Sequence, residues 1–337
     1  MSNSSNSCFI FHDIDQVLFP SIYITVFILS LPANIISLYV AWLQVKKENE
    51  LGIYLFSLSL ADVLYTLTLP LWIDFAFCHN NWRHGLFLCT TSSFLMYTNF
   101  YSSAMFLSCI SFDRYLAFVY PLRFCNLRTR KTAVIVSVAI WTIQIASNSI
   151  ILWNVKVVEN VDGKQNVTDE ICYDTFPLQC WQAHLNLVRI ILGYCLPLII
   201  MTFCNICIYI AIKNNQATQD HEKKKIRQLL LSIVVTFFLC FTPFHVVLFI
   251  RSILEVSNCD VARMMFTPYK ITLALTSLNC IADPILYSFV SEIARSDIRK
   301  AFLPHHRTAQ YKKPATDQTA MATFRNYTEM EFVNNSS

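Results

Sequence analysis

Residues 229–250 read LLLSIVVTFFLCFTPFHVVLFI, and this stretch decides the fold class of the chain. It contains no Asp, Glu, Lys or Arg, and about 20 mostly apolar residues are enough for an α-helix to cross a membrane. Pro243 kinks such a helix, and His245 places a titratable ring among apolar side chains. That ring is costly unless a partner satisfies it or the protein uses it. The stretch therefore predicts a kinked transmembrane helix with one candidate functional residue.

The rest of the chain has the same character. Hydrophobic residues make up 55% of the 337 residues and charged residues 14%, whereas a soluble domain carries about 25% charged residues. Seven segments are long and apolar enough to cross a membrane: residues 18–44, 52–77, 86–119, 132–153, 185–212, 228–254 and 266–290. We therefore predict an all-α membrane protein, a seven-transmembrane-helix bundle over residues 18–290. No internal repeat is evident, which argues against the duplicated architecture of many secondary transporters.

Basic residues mark one side of the predicted bundle. Lys46 and Lys47 follow the first segment, Arg128 and Arg130 follow the third, and no Lys or Arg precedes Lys46. Because loops rich in Lys and Arg stay in the cytoplasm, we predict a multi-pass plasma-membrane protein with an extracellular N-terminal tail at 1–17. The same loops face lipid headgroups, so the formal net charge of +4 indicates no nucleic-acid partner.

The chain after the last predicted span divides into two parts. Residues 291–303 place Ile293, Ile298 and Phe302 among basic neighbours, which predicts a short amphipathic eighth helix lying on the membrane. Residues 304–337 are polar, which predicts a disordered cytoplasmic tail.

The outer side of the predicted bundle carries candidate disulfide bonds and glycans. Cys89 opens the third segment and Cys172 lies in the long loop before the fifth, so we predict that they pair in the oxidising extracellular compartment. Cys8 in the N-terminal tail and Cys259 in the last outer loop make a second predicted pair. The partners of two further outer cysteines stay open: Cys78 and Cys180. Two outer sequons predict glycosylation sites: Asn3 and Asn166.

Short motifs occur in a fixed order along the seven segments. They are LSLAD at 58–62, DRY at 113–115, Trp141, Pro197, CFTP at 240–243 and DPILY at 283–287. Together with Cys89 and Cys172, they resemble the class A (rhodopsin-like) G-protein-coupled receptors over nearly the whole chain. The resemblance implies a receptor with no enzymatic activity and no cofactor. It also implies these partners: a heterotrimeric G protein, arrestin, receptor kinases and membrane lipid.

The resemblance assigns a signalling switch to eight residues: Asp113, Arg114, Tyr115, Phe241, Pro243, Asp283, Pro284 and Tyr287. In the family, the arginine is held in the resting state and contacts the G protein when the sixth helix swings outward. Asp113 is the partner that makes a charged Arg114 tolerable at the end of a helix. Phe241 stands where the family usually has tryptophan, and Asn205 where many members carry tyrosine, so the switch departs from the common pattern.

Four further stretches resemble the small proton-sensing branch of that family. They are ELGIYLFSLS at 50–59, TLPLWID at 68–74, CFTPFH at 240–245 and LTSLNC at 275–280. The resemblance implies that extracellular protons are the agonist. It also implies signalling through the Gs protein with production of cAMP.

Imidazole is the side chain whose unperturbed pKa, about 6.5, lies where extracellular pH varies. Five histidines are predicted on or near the outer half of the bundle and are the candidate proton sensors: His12, His79, His84, His184 and His245. Outer carboxylates such as Asp74 and Glu255 would favour the protonated ring, and protonation would then shift the helix ends. The alternative for each exposed histidine is a solvated or locally hydrogen-bonded loop residue. For His245 it is a neutral ring hydrogen-bonded to a neighbouring helix, part of the pivot and no sensor.

Asp62 and Asp283 form a second predicted constellation, facing the interior of the bundle at similar depth. Two neighbouring buried carboxylates do not both ionise cheaply, so this pair predicts a proton site inside the protein. The alternative is a hydrated polar pocket that holds a sodium ion at Asp62, as in many family members. Proton-sensing relatives place a third acidic residue three positions after the tryptophan of the fourth helix, where this chain has Gln144.

Two other functions fit a seven-helix membrane protein. A receptor for a lysophospholipid or another anionic ligand would use three cations: Arg189, Arg251 and Lys270. The alternative is that the last two of these pair with acidic residues such as Glu255 or Asp74. A proton channel or pump is the remaining hypothesis, but a retinal protein needs a lysine seven residues before Pro284, where this chain has Ser277.

Overall fold

The helices of this chain follow one another with short breaks, in the order that the apolar segments predict. A computed structural model describes residues 15–78, 82–121, 123–124, 126–162, 172, 176–214 and 220–290. Within these ranges the regular secondary structure is helical, and we number the helices 1 to 7 along the chain. Their bounds are Asp15–Lys46 (helix 1), Glu50–Thr66 and Leu69–Phe77 (helix 2), Gly85–Val119 (helix 3), Arg130–Asp162 (helix 4), Cys180–Arg189, Ile190–Cys195 and Leu196–Asn214 (helix 5), Asp220–Leu254 (helix 6), and Cys259–Thr276 and Asn279–Val290 (helix 7).

All seven predicted segments are confirmed as helices, with displaced ends. Helix 4 continues to Asp162, past the predicted end at 153, and helix 7 starts at Cys259 rather than at 266. By length and hydropathy alone, five stretches of the described residues qualify as membrane spans: Val17–Lys46, Glu50–Phe77, Arg130–Ser149, Cys180–Lys213 and Ile226–Leu254. Helix 3 carries many Ser, Thr and Asn residues, and helix 7 carries charged residues such as Lys270, which lowers their hydropathy. The predicted eighth helix at 291–303 and the tail at 304–337 lie outside the described residues.

Three helices are interrupted along their length. In helix 2 a short break separates the two segments, and Pro70 lies in the first turn of the second, where its missing N–H costs no hydrogen bond. In helix 7 the N–H groups of Ser277 and Leu278 bond to carbonyl oxygens three residues back, at 3.2 and 3.1 Å, which tightens the turn. In helix 5, Ile190–Cys195 form a π-helical turn, an insertion often found at functional sites.

Apolar side chains cover the outside of the bundle as well as its interior. Several residues on the outer faces of different helices are more than half exposed: Ile28, Ile135, Ile199, Leu231 and Phe238. Large aromatic side chains fill the interior: Phe100, Phe106, Phe237, Phe241 and Phe244. Apolar residues on both sides of a helix are what a membrane protein requires, because lipid replaces water around it.

Helix 3 lies in the middle of the bundle, in contact with helices 2, 4, 5 and 6. Its polar residues Asn99, Ser102 and Ser103 are fully buried. Thr98 accepts a hydrogen bond from Nδ2 of Asn148 on helix 4 at 3.0 Å. Because neighbouring helices shield helix 3 from lipid, it crosses the membrane despite its polar side chains.

Helices 3 and 5 approach closely at Gly193, inside the π-helical turn. A Cβ atom built on Gly193 would lie 2.4 Å from Cδ1 of Tyr101 on helix 3. That distance is far below the ordinary contact distance of about 3.5–4.0 Å between carbon atoms. The crossing of these two helices therefore requires a glycine.

We expect Gly193→Ala to lower the free energy of unfolding by about 1–3 kcal/mol, because the added methyl group forces the Tyr101 ring or helix 5 to move. The measurement is thermal unfolding of the purified protein in detergent. Leu192→Ala serves as the control, since the Leu192 side chain is exposed. The double variant Gly193→Ala/Tyr101→Leu should recover part of the loss, and an unchanged Tm for Gly193→Ala would contradict the close contact.

Candidate functional site

The ring of His245 is enclosed by aromatic side chains next to the proline of helix 6. The residue is 3% exposed. One face of the ring stacks on Tyr194 of helix 5 at a centroid distance of 4.5 Å, while Phe244 and Tyr101 meet it edge-on at 5.2 and 6.0 Å. Nδ1 lies 2.8 Å from the carbonyl oxygen of Phe241, one turn earlier in the same helix. Nδ1 therefore carries a hydrogen and donates it to that oxygen.

The other ring nitrogen of His245, Nε2, is buried and has no hydrogen-bond partner among the described residues. The side chains packed on the ring are uncharged tyrosines and phenylalanines. Because a buried imidazolium without a carboxylate is strongly disfavoured, the ring is neutral in this packing. The alternative, in which the neutral ring bonds to a neighbouring helix, is wrong in its partner, because Nδ1 bonds to the carbonyl oxygen of Phe241 in the same helix.

Tyr194 links helix 5 to helix 6 beside this histidine. Its ring lies between Phe237, at 5.7 Å, and His245, at 4.5 Å, and is nearly parallel to both. Its hydroxyl oxygen is 2.8 Å from Oγ1 of Thr242, the residue before Pro243. The contact therefore holds helix 5 against the kink of helix 6. Sequence reasoning missed Tyr194, because the π-helical turn that directs it toward helix 6 leaves no mark in an apolar segment.

His84 is in contact with a carboxylate at one end of the bundle. Its Nε2 lies 2.9 Å from Oδ2 of Asp74, and the two side chains are 31% and 45% exposed. His84 is the N-cap residue of helix 3 and Asp74 lies near the end of helix 2, so the contact joins two helix ends. Trp82 packs against His84 and against Trp72, at 5.4 and 5.5 Å. Protonation of His84 would convert this hydrogen bond into an ion pair.

The other predicted sensor histidines are not joined to that pair in the described structure. His184 is exposed, and its Nδ1 lies 4.0 Å from the sulfur of Cys180. His12 and His79 lie outside the described residues. Among the histidines whose side chains the structure describes, His84 contacts a carboxylate.

Asp62 and Asp283 lie close together deep in the bundle, as predicted. Both are 0% exposed, and the two carboxyl groups are close enough to interact electrostatically. Asn99 of helix 3 donates to Oδ1 of Asp62 at 2.7 Å, and the sulfur of Cys280 lies 3.5 Å from the same oxygen. The other three carboxyl oxygens make no hydrogen bond of ordinary geometry with the described residues. Such oxygens need a proton, a water molecule or a cation.

The donor atoms around Asp62 suit a sodium ion, because hard cations prefer oxygen ligands. Asp62, Asp283 and Asn99 supply carboxyl and amide oxygens within one buried cluster. This cluster has two carboxylates and one amide. A metal site built from three or more His, Cys, Asp or Glu side chains is absent from the described residues. Gln144, which replaces the third acidic residue, is buried in helix 4.

Arg251 is neutralised by an acidic residue of its own helix. Its guanidinium nitrogens lie 2.5 and 2.8 Å from the two carboxylate oxygens of Glu255, and both side chains are almost fully buried. The rings of Tyr269 and Phe176 lie 4.0 and 4.4 Å from the guanidinium carbon. Glu255 also accepts a hydrogen bond from the backbone N–H of Leu178 at 3.2 Å. The predicted alternative, in which Arg251 pairs with Glu255, is confirmed.

The two other candidate cations for an anionic ligand have different surroundings. Arg189 donates to Oδ1 of Asn148 at 3.0 Å, and its guanidinium carbon lies 4.2 Å from the ring centre of Tyr97. The ammonium of Lys270 lies 5.5 Å from the ring centre of Phe75. The guanidinium of Arg189 therefore lies against an amide oxygen and an aromatic face, and the ammonium of Lys270 lies near two aromatic faces.

Charged residues form a chain at the end of the bundle where helix 3 finishes, which we call the inner end. Arg114 donates from Nη2 and Nε to Oδ2 of Asp113, at 2.6 and 3.0 Å. Arg128 donates from Nε to Oδ1 of Asp113 at 3.1 Å, and from Nη2 to Glu50 at 2.8 Å. The pairing of Asp113 with Arg114 is as predicted. Sequence reasoning missed Arg128 and Glu50, because they stand 78 positions apart and no motif joins them.

The other predicted switch residues lie on helices 3, 6 and 7: Tyr115, Phe241, Pro243, Pro284 and Tyr287. Phe241 is buried and packs on Phe237, with ring centres 5.0 Å apart. Tyr115 packs on Phe203 of helix 5 at 5.7 Å. The side chain of Tyr287 lies outside the described part of the structure. The roles of these residues in signalling stay predictions.

The first predicted disulfide bond is confirmed. Cys89 and Cys172 are bonded, with their Cα atoms 5.6 Å apart. Cys259 is also disulfide-bonded, and its predicted partner Cys8 lies outside the described residues. Cys78 and Cys180 are free thiols, so they do not pair with each other. The predicted glycosylation sites lie outside the described residues: Asn3 and Asn166.

We expect Glu255→Gln to lower the free energy of unfolding by about 3 kcal/mol, because it leaves a buried guanidinium without its counter-charge. Thermal unfolding in detergent measures the change. The double variant Arg251→Met/Glu255→Leu should recover most of the loss, because it removes both charges together. Asp260→Asn is the control, since the Asp260–Arg263 pair is exposed. An unchanged Tm for Glu255→Gln would mean that another group neutralises Arg251.

Comparison with known proteins gives the family. The chain matches the 7 transmembrane receptor (rhodopsin family) over residues 33–287. It is 55% identical to G-protein coupled receptor 65 of Homo sapiens over 294 residues, which cover 85% of this chain and 87% of the relative. G-protein coupled receptor 68 of Homo sapiens is 42% identical over 317 residues, with 92% and 85% covered.

A more distant relative carries a ligand in its name. Lysophosphatidic acid receptor 6 of Gallus gallus is 31% identical over 312 residues, which cover 90% of this chain and 99% of the relative. The seven helices of the described ranges and the motifs on them agree with the family match. The chain therefore belongs to the rhodopsin family of seven-transmembrane, G-protein-coupled receptors, and it is not an enzyme.

Proposed function

We propose that this receptor is activated by extracellular protons. The observation that supports the proposal best is His245, a titratable ring packed beside the hinge proline of helix 6. Its surroundings accept the neutral ring and give the protonated ring no counter-charge and no acceptor at Nε2 among the described residues. The motifs that resemble the proton-sensing branch support the same agonist.

Thermodynamic linkage gives the direction of the pH effect. Protons favour whichever state of the receptor binds them more tightly. In the packing described here, the neutral His245 ring is stacked on Tyr194 and closed off from water. A state in which helix 6 has moved away from Tyr194 admits water to Nε2 and binds the proton more tightly. Acid therefore stabilises the moved state, and rising pH returns the receptor to the described packing.

His84 and Asp74 are the second proposed proton site. Acid converts their 2.9 Å hydrogen bond into an ion pair that draws the end of helix 2 toward the start of helix 3. An ion pair with this exposure contributes about 0.2–1 kcal/mol. We expect it to adjust the pH response rather than to drive it. The remaining proposed sensors are the other outer histidines: His12, His79 and His184.

Asp62 and Asp283 are a proposed internal proton site, in exchange with a cation. One proton shared between the two carboxyl groups relieves the cost of two neighbouring buried charges. A sodium ion at Asp62 would relieve the same cost, so protonation and sodium binding compete for the three oxygens that lack hydrogen bonds in the described structure. This competition would make sodium binding at the internal site weaker as pH falls.

The proposed output is cAMP through the Gs protein. The quoted motifs resemble those of one member of the proton-sensing branch, the T-cell death-associated gene 8 receptor, which is associated with Gs. Arrestin and receptor kinases are the other proposed partners, as the family resemblance implies. The basic loops support a plasma-membrane orientation with the N-terminus outside, in which His84 and Asp74 face the extracellular medium.

The test is cAMP accumulation in transfected cells across a pH range of about 6 to 8, a window set by the imidazole pKa. We expect cAMP to rise as pH falls. His245→Phe keeps a ring against Tyr194 and removes the titration, so its response should move to lower pH by roughly 0.5 unit, equivalent to about 0.7 kcal/mol. Tyr194→Phe is the matched control, because it loses the hydroxyl contact with Thr242 and retains the imidazole.

Three results decide between the proposed sites. No acid response from the wild-type receptor at normal surface expression would exclude protons as the agonist. A normal response from His245→Phe would leave that ring as part of the pivot and no sensor. A response unchanged after replacing all five candidate histidines would move the sensor to Asp62 and Asp283.

An anionic lipid is the second candidate agonist, favoured by the 31% identity to a receptor named for lysophosphatidic acid. Arg189 and Lys270 are the cations that would hold such a headgroup, because Glu255 already neutralises Arg251. If this candidate is correct, lysophospholipids at a fixed pH of about 7.5 should produce a saturable response that Arg189→Gln reduces at least roughly ten-fold in potency, equivalent to about 1.4 kcal/mol. A flat lipid dose response beside an intact acid response would exclude it.

A further inference from the structure

Four charged residues at the inner end form a chain of alternating sign. Glu50 begins helix 2, Arg128 lies in the loop before helix 4, and Asp113 and Arg114 lie in the last turns of helix 3. Their side chains are 21%, 26%, 7% and 20% exposed in that order. The chain carries two negative and two positive charges, and each neighbouring pair is joined by a hydrogen-bonded ion pair.

Asp113 divides its two oxygens between two arginines. Oδ2 accepts both bonds from Arg114, at 2.6 and 3.0 Å, while Oδ1 accepts the bond from Arg128 at 3.1 Å. One carboxylate charge is thus shared by two guanidinium groups. The attraction between Asp113 and Arg114 is weaker than it would be without Arg128, because Arg128 offsets part of the carboxylate charge.

Glu50 and Asp113 share the guanidinium group of Arg128. Nη2 of Arg128 lies 2.8 Å from Oε1 of Glu50, while Nε of the same guanidinium faces Asp113. If Glu50 is neutralised, Arg128 interacts more strongly with Asp113, and the ion pair between Asp113 and Arg114 becomes weaker. If Arg128 is neutralised, Asp113 interacts with Arg114 alone, and the ion pair between them becomes stronger. Opposite effects from the two neighbours follow from Coulomb's law alone.

We propose that Arg128 is a positioning residue that sets how tightly Arg114 is held, and that Glu50 regulates Arg128. The pair would then set the basal activity of the receptor, since Arg114 must leave Asp113 to reach the G protein. The proposal rests on the role that the family resemblance gives to Arg114, and it is independent of which agonist opens the receptor.

A different role is also consistent with the same contacts. Arg128 could simply tie the loop before helix 4 to helices 2 and 3, as a structural anchor. Removing an anchor loosens the inner end, so Glu50→Gln and Arg128→Met would then change basal activity in the same direction. The alternating chain predicts opposite directions, which makes the two roles separable by experiment.

The experiment measures agonist-independent nucleotide exchange in membranes that contain the full-length receptor and a panel of purified heterotrimeric G proteins. Rates are divided by the amount of receptor at the cell surface. The panel removes any dependence on Gs. The assay pH is fixed at about 8, above the unperturbed imidazole pKa of about 6.5, so that activation by protons stays low in every variant. Failure of this inference is therefore distinguishable from failure of the proposed function.

We expect Glu50→Gln to raise basal exchange by about two- to five-fold, the range given by a partly exposed ion pair. The double variant Glu50→Gln/Arg128→Met should lose that increase. The single variant Arg128→Met should have a basal exchange rate no higher than that of the wild type. Arg128→Lys retains the positive charge, so it should preserve the effect of Glu50→Gln. Glu48→Gln and Arg130→Met are matched controls, because their contact is 4.0 Å long and exposed, and both should leave the rate unchanged.

Two outcomes would overturn the proposal. An increase in basal exchange from Arg128→Met alone would show that Arg128 is an anchor. An equal effect of Glu50→Gln with and without Arg128 would show that Glu50 acts by another route. If Arg128→Met does not reach the cell surface, Arg128→Gln, which retains hydrogen-bonding groups, carries the same comparison.

Discussion

Polar groups inside this bundle have to find their partners within the protein, because neither lipid nor a packed core offers them water. That constraint determines which helices contact one another and where. Asn99 of helix 3 bonds to Asp62 of helix 2, and Asn148 of helix 4 bonds to Thr98 of helix 3. Each pair crosses a helix interface, so each specifies a register that apolar packing alone leaves open.

Several buried polar atoms lack a hydrogen bond in the described structure; some are not titratable, such as Oδ1 of Asn34 and Oγ of Ser111, and the titratable ones include the proposed sensors. Nε2 of His245 and three oxygens of Asp62 and Asp283 lack hydrogen bonds in the described structure, although each group is buried. By contrast, Arg251 and Glu255 are equally buried but form a doubly hydrogen-bonded ion pair, and Glu255 also accepts a hydrogen bond from the backbone of Leu178. A buried group without a partner makes one state of a protein less favourable than another in which it is hydrated or protonated. Where the unsatisfied group is titratable, as in His245, Asp62 and Asp283, we propose that this incomplete satisfaction contributes to pH sensitivity.

The sequence was sufficient for the spans, the first disulfide bond and the interior position of the two carboxylates, because those features follow from local pattern and from topology. It was insufficient where a partner comes from a distant segment, as Glu50 does for Arg128. The π-helical turn is a third kind of feature. One extra residue in a turn rotates everything after it by about 100°, and that rotation places Tyr194 between Phe237 and His245. The residue types in Ile190–Cys195 do not predict the π-helical turn.

The close crossing at Gly193 and Tyr101 has a mechanical consequence. Two helices that touch ring against backbone cannot slide past each other there, yet both remain able to tilt about that point. The crossing would then act as a fulcrum, with the outer part of helix 5 as one arm and Leu196–Asn214 as the other. The longer inner arm would turn a small tilt near the outer surface into a larger displacement where the G protein binds.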